Sequence, residues 1–547
     1  MEYYDYTQPF ASRRSPVMGM RGAVATSHPL AAQAGLRMLL AGGNAVDAAI
    51  ATAAALVVLE PTSCGLGGDA FAIVWDSGEM HGLNASGRAP EGLSADEFRR
   101  VGLTKMPTEG WAPVTVPGVV SAWSALSRRF GSLPFRDVIA PAVEYAREGA
   151  PVPPVIASYW SAAQKRFGGR GGLFAELESA FLPGGRAPHP GEVYRNPDLA
   201  ATLESIAESR GESFYRGNLA RAMAAYSEST GGYLTLRDLA EHLPEWVEPV
   251  KARYRGFDVW EIPPNGQGIV ALMALNIMEG FDLGDLPRLA PESLHVIIEA
   301  IRLAFADAHA RVGDPRVVTV PVDELLSPEY AAARRAQISM SHAMTAVALG
   351  RLSGKQEMWR PSDGDTVYLS TADWEGMMVS YIQSNYMGFG SGVVVPGTGI
   401  SMQNRGAGFS LEEGHPNELA PGRRPFHTII PGLLTQSGIP LAAFGVMGGD
   451  MQPQGHVQVI SSIIDHSLNP QAAIDCPRVR VVGADGVLAE PEVGADTVAA
   501  LRRLGHDIRF EEGRAGFGGG QMVWRDPDTG VLIAGSEPRK DGCAVAI

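Results

Sequence analysis

The chain has 547 residues, 45% hydrophobic and 19% charged, an ordinary globular balance that excludes disordered, collagen-like and disulfide-stapled classes. Its 60 acidic against 45 basic side chains leave a formal charge of -15, which argues against nucleic acid or an anionic membrane as the main partner. Three widely separated cysteines, Cys64, Cys476 and Cys543, form no Cys-x-x-Cys pair and suit a reduced compartment.

Met1 to Met20 contain no apolar run of the secretory kind. The longest uncharged apolar stretch, Ala48 to Leu59, is broken only by Thr52 and stops at Glu60-Pro61, too short to cross a bilayer of ~30 Å. A cytoplasmic protein with no membrane partner is expected. Apolar residues recur at helical spacing from Pro29 to Leu40, where Gly42-Gly43 end the run, and again from Ala45 to the residues before Pro61. Phe71 to Asp76 and His81 to Ala85 read as short strands. Phe135 to Gly149, Pro197 to Ser209, Leu294 to Val312 and Val498 to Leu504 again carry helical periodicity.

Hairpin signals multiply in the last third. Val367 to Ala372 and Met377 to Ser384 flank Asp373-Trp374-Glu375-Gly376, with Asp first and Gly fourth as a type I turn prefers. Thr428 to Gln436 and Ile439 to Val446 flank Ser437-Gly438, and Met522 to Arg525 and Gly530 to Ala534 flank Pro527-Asp528-Thr529. Antiparallel sheet covered by helices, an α+β layered architecture, follows from that mixture. Gly350 to Asp365 is polar and turn-rich and reads as an exposed linker.

The usual catalytic signatures are missing: there is no Gly-x-Ser-x-Gly elbow, Walker loop or His-Glu-x-x-His. Gly516 to Gly520 lacks the strand-to-helix setting and downstream acid of a dinucleotide site and reads as a flexible loop before a strand. The histidines show no metal-ligand spacing, and no metal or organic cofactor is expected. What remains is Gly364-Asp365-Thr366-Val367-Tyr368-Leu369-Ser370, a strand start directly after the linker. A Thr hydroxyl is a poor nucleophile unless a base stands beside it, and an N-terminal Thr can use its own α-amine. That solution requires cleavage at Asp365-Thr366, which spacing alone leaves open beside a plain structural strand.

Several short motifs recur in one order along the chain: Gly42-Gly43-Asn44-Ala45-Val46-Asp47-Ala48, Gly65-Leu66-Gly67-Gly68-Asp69, Asn84-Ala85-Ser86-Gly87-Arg88-Ala89-Pro90 and Val116-Pro117-Gly118. Asp365-Thr366, Ser384-Asn385, Phe389-Gly390-Ser391-Gly392, Gly448-Gly449 and Ser536-Glu537-Pro538-Arg539 follow. Together they make the chain resemble the gamma-glutamyltranspeptidase superfamily of N-terminal-nucleophile hydrolases, made as self-cleaving proenzymes. The resemblance implies a four-layer αββα sandwich, with residues 1–365 as a large subunit and 366–547 as a small one, both intertwined in one domain and associated after cleavage. It implies that Thr366 attacks first the Asp365 carbonyl and then a substrate amide, that Ser384 orients it, and that Asn385 lines the acyl pocket. Gly448 and Gly449 would supply the oxyanion-binding N–H groups, and Arg88 would grip a substrate carboxylate.

Against the family pattern, Gly408 stands where an acid is expected to hold a substrate ammonium, and Arg405 stands where the family has a neutral Gln. His427-Thr428 replaces a pair of serines that bind the carboxylate. One acid lost and one base gained turn the pocket toward anions, so the expected substrate is a small amide whose acyl group carries a carboxylate and no amine. Glutathione hydrolase-like and oxamate amidohydrolase-like members share this pattern. A γ-glutamyl hydrolase or transferase whose substrate amine is met by Asp450 or Asp69 is the first alternative, and an uncut, non-catalytic binding protein is the second.

Overall fold

A computed structural model describes residues 14–350, 364–483 and 486–547. Two seven-stranded antiparallel sheets form its centre. In one, the strands run Cys543–Ala546, Gly22–Thr26, Asp365–Asp373, Met378–Tyr386, Asp69–Asp76, Glu79–Asn84, Glu245–Val247. In the other they run Val17–Gly19, Leu532–Ser536, Gly519–Arg525, Ile439–Met447, Gly432–Gln436, Phe257–Glu261, Val250–Tyr254. Their facing sides interdigitate through Phe71, Ile73, Tyr368 and Ile382 of the first sheet and Leu433 and Met447 of the second. Alternation along Asp365–Asp373 turns Val367 and Leu369 outward into the helix layer that contains Ala45–Leu59. Helices Gly268–Met278, Pro291–Arg311 and Met451–Ile464 cover the outer face of the second sheet. The result is the expected αββα sandwich, and both central strands Asp365–Asp373 and Met378–Tyr386 are buried on both faces.

The apolar stretch that is too short for a membrane is the central helix Ala45–Leu59, every residue of which is buried. Asn44 caps it by accepting from the N–H groups of Val46 and Asp47, and Asp47 accepts in return from the Asn44 N–H. Asp373, at the far end of the strand that starts beside Thr366, accepts from the Ala45 N–H at 2.9 Å. Among the described residues no helix is long and apolar enough to cross a membrane.

Strands from before and after residue 366 share both sheets. Asp365–Asp373 pairs with Gly22–Thr26 on one side and with Met378–Tyr386 on the other, and the latter pairs with Asp69–Asp76. Glu537 and Arg539 tie together segments that all follow residue 366. Arg539 meets Glu490 at 2.6 Å and Glu537 at 2.7 Å, while Arg478 meets Glu537 at 3.0 Å, all buried.

Three sequence expectations change. The strand expected from Thr428 begins only at Gly432, because the backbone before it bonds to side chains: the Thr428 carbonyl accepts from Gln267 and the Ile430 N–H donates to Gln452. Gly519 and Gly520 are not a flexible loop. They open a buried strand, with Gly519 paired to Met447 and the Gly520 N–H donating to Glu537. The expected linker lies mostly outside the described residues, but its last residue, Asp365, is already the first of the buried strand.

Arg539→Met would leave Glu490 and Glu537 short of their shared cation inside the protein, a loss of about 3 kcal/mol. The expected drop in chemical-denaturation midpoint should be recovered only in part by Arg539→Lys, which lacks the guanidinium fork.

Candidate active site

The pairing of the two central strands shifts register between Asp365 and Val367, so that Ser384 and Asn385 stand opposite Thr366 alone. The bulge ends at Tyr386, whose φ of 78° is uncommon for a side chain of that size. This local twist brings two hydroxyls together. Thr366 Oγ1 donates to Ser384 Oγ at 3.2 Å, and Ser384 Oγ donates to the Asp365 carbonyl at 2.7 Å. The Tyr386 N–H holds Ser384 Oγ from the other side at 2.7 Å. One hydroxyl thus touches both the candidate nucleophile and the carbonyl of the residue before it. Thr366 is 2% exposed in the uncut chain.

Gly65-Leu66-Gly67-Gly68 owes its glycines to this strand end. A Cβ on Gly68 would lie 2.5 Å from the Ser384 carbonyl oxygen and 2.6 Å from Asn385 Oδ1. Asn385 itself donates to Ser401 Oγ at 2.9 Å, and its Oδ1 is buried with no hydrogen-bond partner.

Gly448 and Gly449 follow the strand Ile439–Met447 at φ values of 125° and 55°, conformations that glycine adopts without a Cβ penalty. They stand beside the scissile segment: a Cβ on Gly364 would be 3.2 Å from Gly449 Cα. Gln267 ties down the neighbouring backbone, donating to the Gly449 carbonyl at 2.9 Å and to the Thr428 carbonyl at 2.6 Å. Gln452, in the first turn of Met451–Ile464, donates to Thr366 Oγ1 at 3.4 Å.

Arg405 sits in the short turn Arg405–Gly408, 1% exposed. Its Nη1 donates to Thr428 Oγ1 at 2.6 Å, and its guanidinium carbon lies 4.1 Å from the Tyr386 ring centre. Nε and Nη2 are buried with no hydrogen-bond partner. Burial pulls its pKa down to about 10, against the weaker pull of Tyr386, Asp69 and Asp450.

Two residues expected at a substrate bond to other groups of the protein. His427 Nε2 lies 3.0 Å from Asp69 Oδ2, and its Nδ1 accepts from the Ile429 N–H, so both ring nitrogens are taken. Burial holds its pKa down at about 4, which leaves it the neutral donor to Asp69. Asp69 Oδ1 accepts from the Gly87 N–H and from Gln403, so both carboxylate oxygens are engaged within the protein. Arg88 pairs with Glu245 at 3.0 Å, on the same carboxylate that Arg424 holds at 2.7 Å, and it is one-third exposed. The sequence reading overlooked Gln452, Gln267 and Tyr386. Gln452 follows the Gly448-Gly449 pair by three residues, a spacing that could have flagged it, whereas Gln267 reaches the site from a distant helix start with no sequence signal.

Residues 31–547 match the gamma-glutamyltranspeptidase family. The glutathione hydrolase-like YwrD proenzyme of Bacillus subtilis is 36% identical, over 97% of this chain and 99% of that one. The oxamate amidohydrolase proenzyme of Klebsiella pneumoniae is 35% identical, over 96% and 98%. Among solved structures, the cephalosporin acylase of Bacillus halodurans superposes with a TM-score of 0.95 at 51% identity, covering 100% of this chain and 99% of that one. The chain belongs to the gamma-glutamyltranspeptidase family, and within it is an amide hydrolase made as a proenzyme.

Ser384→Ala would strip the Asp365 carbonyl of its donor and Thr366 of its acceptor. Cleavage of the purified precursor, followed by intact mass, should slow by about 10²-fold or more, the usual effect of removing one preorganised donor.

Proposed function

We propose that Thr366 cuts its own chain and then hydrolyses a small amide whose acyl group ends in a carboxylate held by Arg405. The observation that carries the substrate class is the Arg405 guanidinium, buried with two N–H-bearing nitrogens unpaired and, among the described residues, no carboxylate in hydrogen-bond contact. Burying such a charge without a partner costs several kcal/mol, and an incoming carboxylate offsets that cost by accepting from the planar fork. An ammonium in the same place would be repelled, and Asp69, one acid that could have met it, is already engaged by Gln403, His427 and the Gly87 N–H. Oxamate, which names the substrate of the Klebsiella relative, is a carboxylate-bearing amide of this kind.

In the uncut chain Thr366 Oγ1 bonds to the Asp365 carbonyl carbon, and the Asp365–Thr366 C–N bond breaks as the nitrogen takes the hydroxyl proton. Water hydrolyses the resulting ester, leaving a carboxylate on residue 365 and a free α-amine on Thr366. That amine then serves as the base for each substrate. It takes the Thr366 proton as Oγ1 attacks the amide carbon, and passes it to the leaving amine, and water releases the acid. Ser384 orients Oγ1, the N–H groups of Gly448 and Gly449 receive the oxyanion, and Asn385 with Thr428 flanks the acyl group. Residues 1–365 and 366–547 stay together because their strands share both sheets.

Intact mass of the wild type should show two chains, the smaller starting at Thr366, and Thr366→Ala should stay whole; one uncut chain in both would favour the binding-protein reading. With cleaved enzyme, glutaryl-p-nitroanilide should be turned over far faster than γ-glutamyl-p-nitroanilide. Arg405→Leu should lower kcat/KM for the glutaryl compound by about 10²–10³-fold while leaving the precursor at least as stable, since a buried uncompensated charge is removed. Brisk γ-glutamyl turnover would overturn the substrate assignment.

A further inference from the structure

Thr366 Oγ1 has a second hydrogen-bond partner that the chemistry above leaves without a task. Gln452 is fully buried in the first turn of helix Met451–Ile464, and its Nε2 donates to Thr366 Oγ1 at 3.4 Å. The other end of the same amide is fixed, because Oε1 accepts from the Ile430 N–H at 3.0 Å. A backbone N–H can only donate, so it holds the amide oxygen and turns the NH2 group toward the hydroxyl.

The backbone of Gln452 is tied as well. Its N–H donates to the Gly449 carbonyl at 3.2 Å, and that of Met451 donates to the Gly448 carbonyl at 2.9 Å. Gln267 donates to the same Gly449 carbonyl at 2.9 Å. One residue thus bonds through its backbone to the glycine pair proposed to receive the oxyanion, and through its side chain to the hydroxyl proposed to attack. These two parts of the site come from different sheets: Thr366 lies in Asp365–Asp373, and the glycines follow Ile439–Met447.

Ser384 and Gln452 engage different parts of one hydroxyl. The Thr366 proton points to Ser384 Oγ at 3.2 Å, and the Gln452 NH2 group occupies a lone pair of Oγ1. A hydroxyl carries one proton and two lone pairs, so the two contacts fix its rotation and leave the second lone pair for the Asp365 carbonyl carbon. We propose that Gln452 is a positioning residue for chain cleavage: its NH2 group orients the Thr366 hydroxyl and sets it in place relative to Gly448 and Gly449. The proposal rests on the reading of Thr366 as the nucleophile that cuts the Asp365–Thr366 bond. Gln452 exchanges no proton itself; the hydroxyl proton passes to the departing nitrogen as above.

The test is the rate at which purified precursors of wild type, Gln452→Glu and Gln452→Met cut themselves, followed by intact mass across the acid-to-alkaline range. Glu has the shape of Gln and keeps an oxygen for the Ile430 N–H, but its carboxylate offers Thr366 no donor; once protonated it donates again. Burial raises the pKa of such a carboxyl, so the alkaline end is where it is ionised. There Gln452→Glu should cut about tenfold or more slower than wild type, and the ratio of the two rates should rise toward one as the pH falls. Taking the ratio cancels ionisations that both chains share. Gln452→Met supplies no donor at any pH and should be slow by a similar factor throughout. Either variant cutting as fast as wild type at the alkaline end overturns the proposal. So does a slowing of Gln452→Glu by one factor at every pH, which is what a role in shape or folding alone would give. An uncut wild type, or a Thr366→Ala chain cut at the same bond, defeats the underlying reading instead, whatever the Gln452 variants do.

Discussion

The Ser384 hydroxyl is the point on which the site depends. It accepts from Thr366 and from the Tyr386 N–H and donates to the carbonyl that precedes Thr366. A flat antiparallel ladder could not make those contacts, since a side chain in register points to one face and a backbone carbonyl points along the sheet. The bulge opposite Thr366 lets one hydroxyl reach all three, and the strained Tyr386 backbone marks where the ladder yields. Glycines at 65 and 68 then let another loop press against the bulged strand.

The rigidity of that bulge comes from the sandwich. Asp365–Asp373 and Met378–Tyr386 lie at the centre of a seven-stranded sheet, buried on both faces, with the helix Ala45–Leu59 against one side and the second sheet against the other. A displaced strand would drag apolar side chains of three layers with it, so Thr366 is held by packing as much as by hydrogen bonds. The glycine pair at 448–449 approaches from the other sheet, so the site lies where the two sheets meet. Cutting the chain there need not loosen the sheets, because Leu369 to Ala372 of that strand are paired on both sides.

Electrostatics divides the neighbourhood into engaged and unengaged charges. Asp69 with His427 and Gln403, Glu245 with Arg88 and Arg424, and Glu537 with Arg478 and Arg539 are internally matched clusters that shape loops. Arg405 is different: among the described residues its hydrogen bond goes to a hydroxyl and its flat side lies against an aromatic ring, while Asp69 and Asp450 act on it only as weaker attractions. On the proposed reading, a cation buried in that manner is completed by a ligand, and its planar donors suit a carboxylate.

Much of this was legible in the amino-acid sequence. Local rules place the helices Pro29–Leu40 and Pro197–Ser209 at their observed bounds, because proline starts and apolar periodicity act within a few residues. The hairpin around Asp373-Trp374-Glu375-Gly376 follows from turn chemistry, and ordered motifs identify the family and single out Thr366, Ser384 and the Gly448-Gly449 pair. What the sequence could not supply is which charges find each other. Arg88 and His427 carry the chemistry of anion binding, yet the fold sets each beside an acid distant along the chain, Glu245 and Asp69, and satisfies it there. Arg405 has the same chemistry and, among the described residues, hydrogen-bonds to no such acid. The strand expected at Thr428 fails for a related reason: Gln267 and Gln452, remote in sequence, satisfy the backbone that a neighbouring strand would otherwise have paired. Residue type determines what a side chain can bind, while the packing of distant segments alone decides whether that capacity is spent inside the protein or left for a substrate.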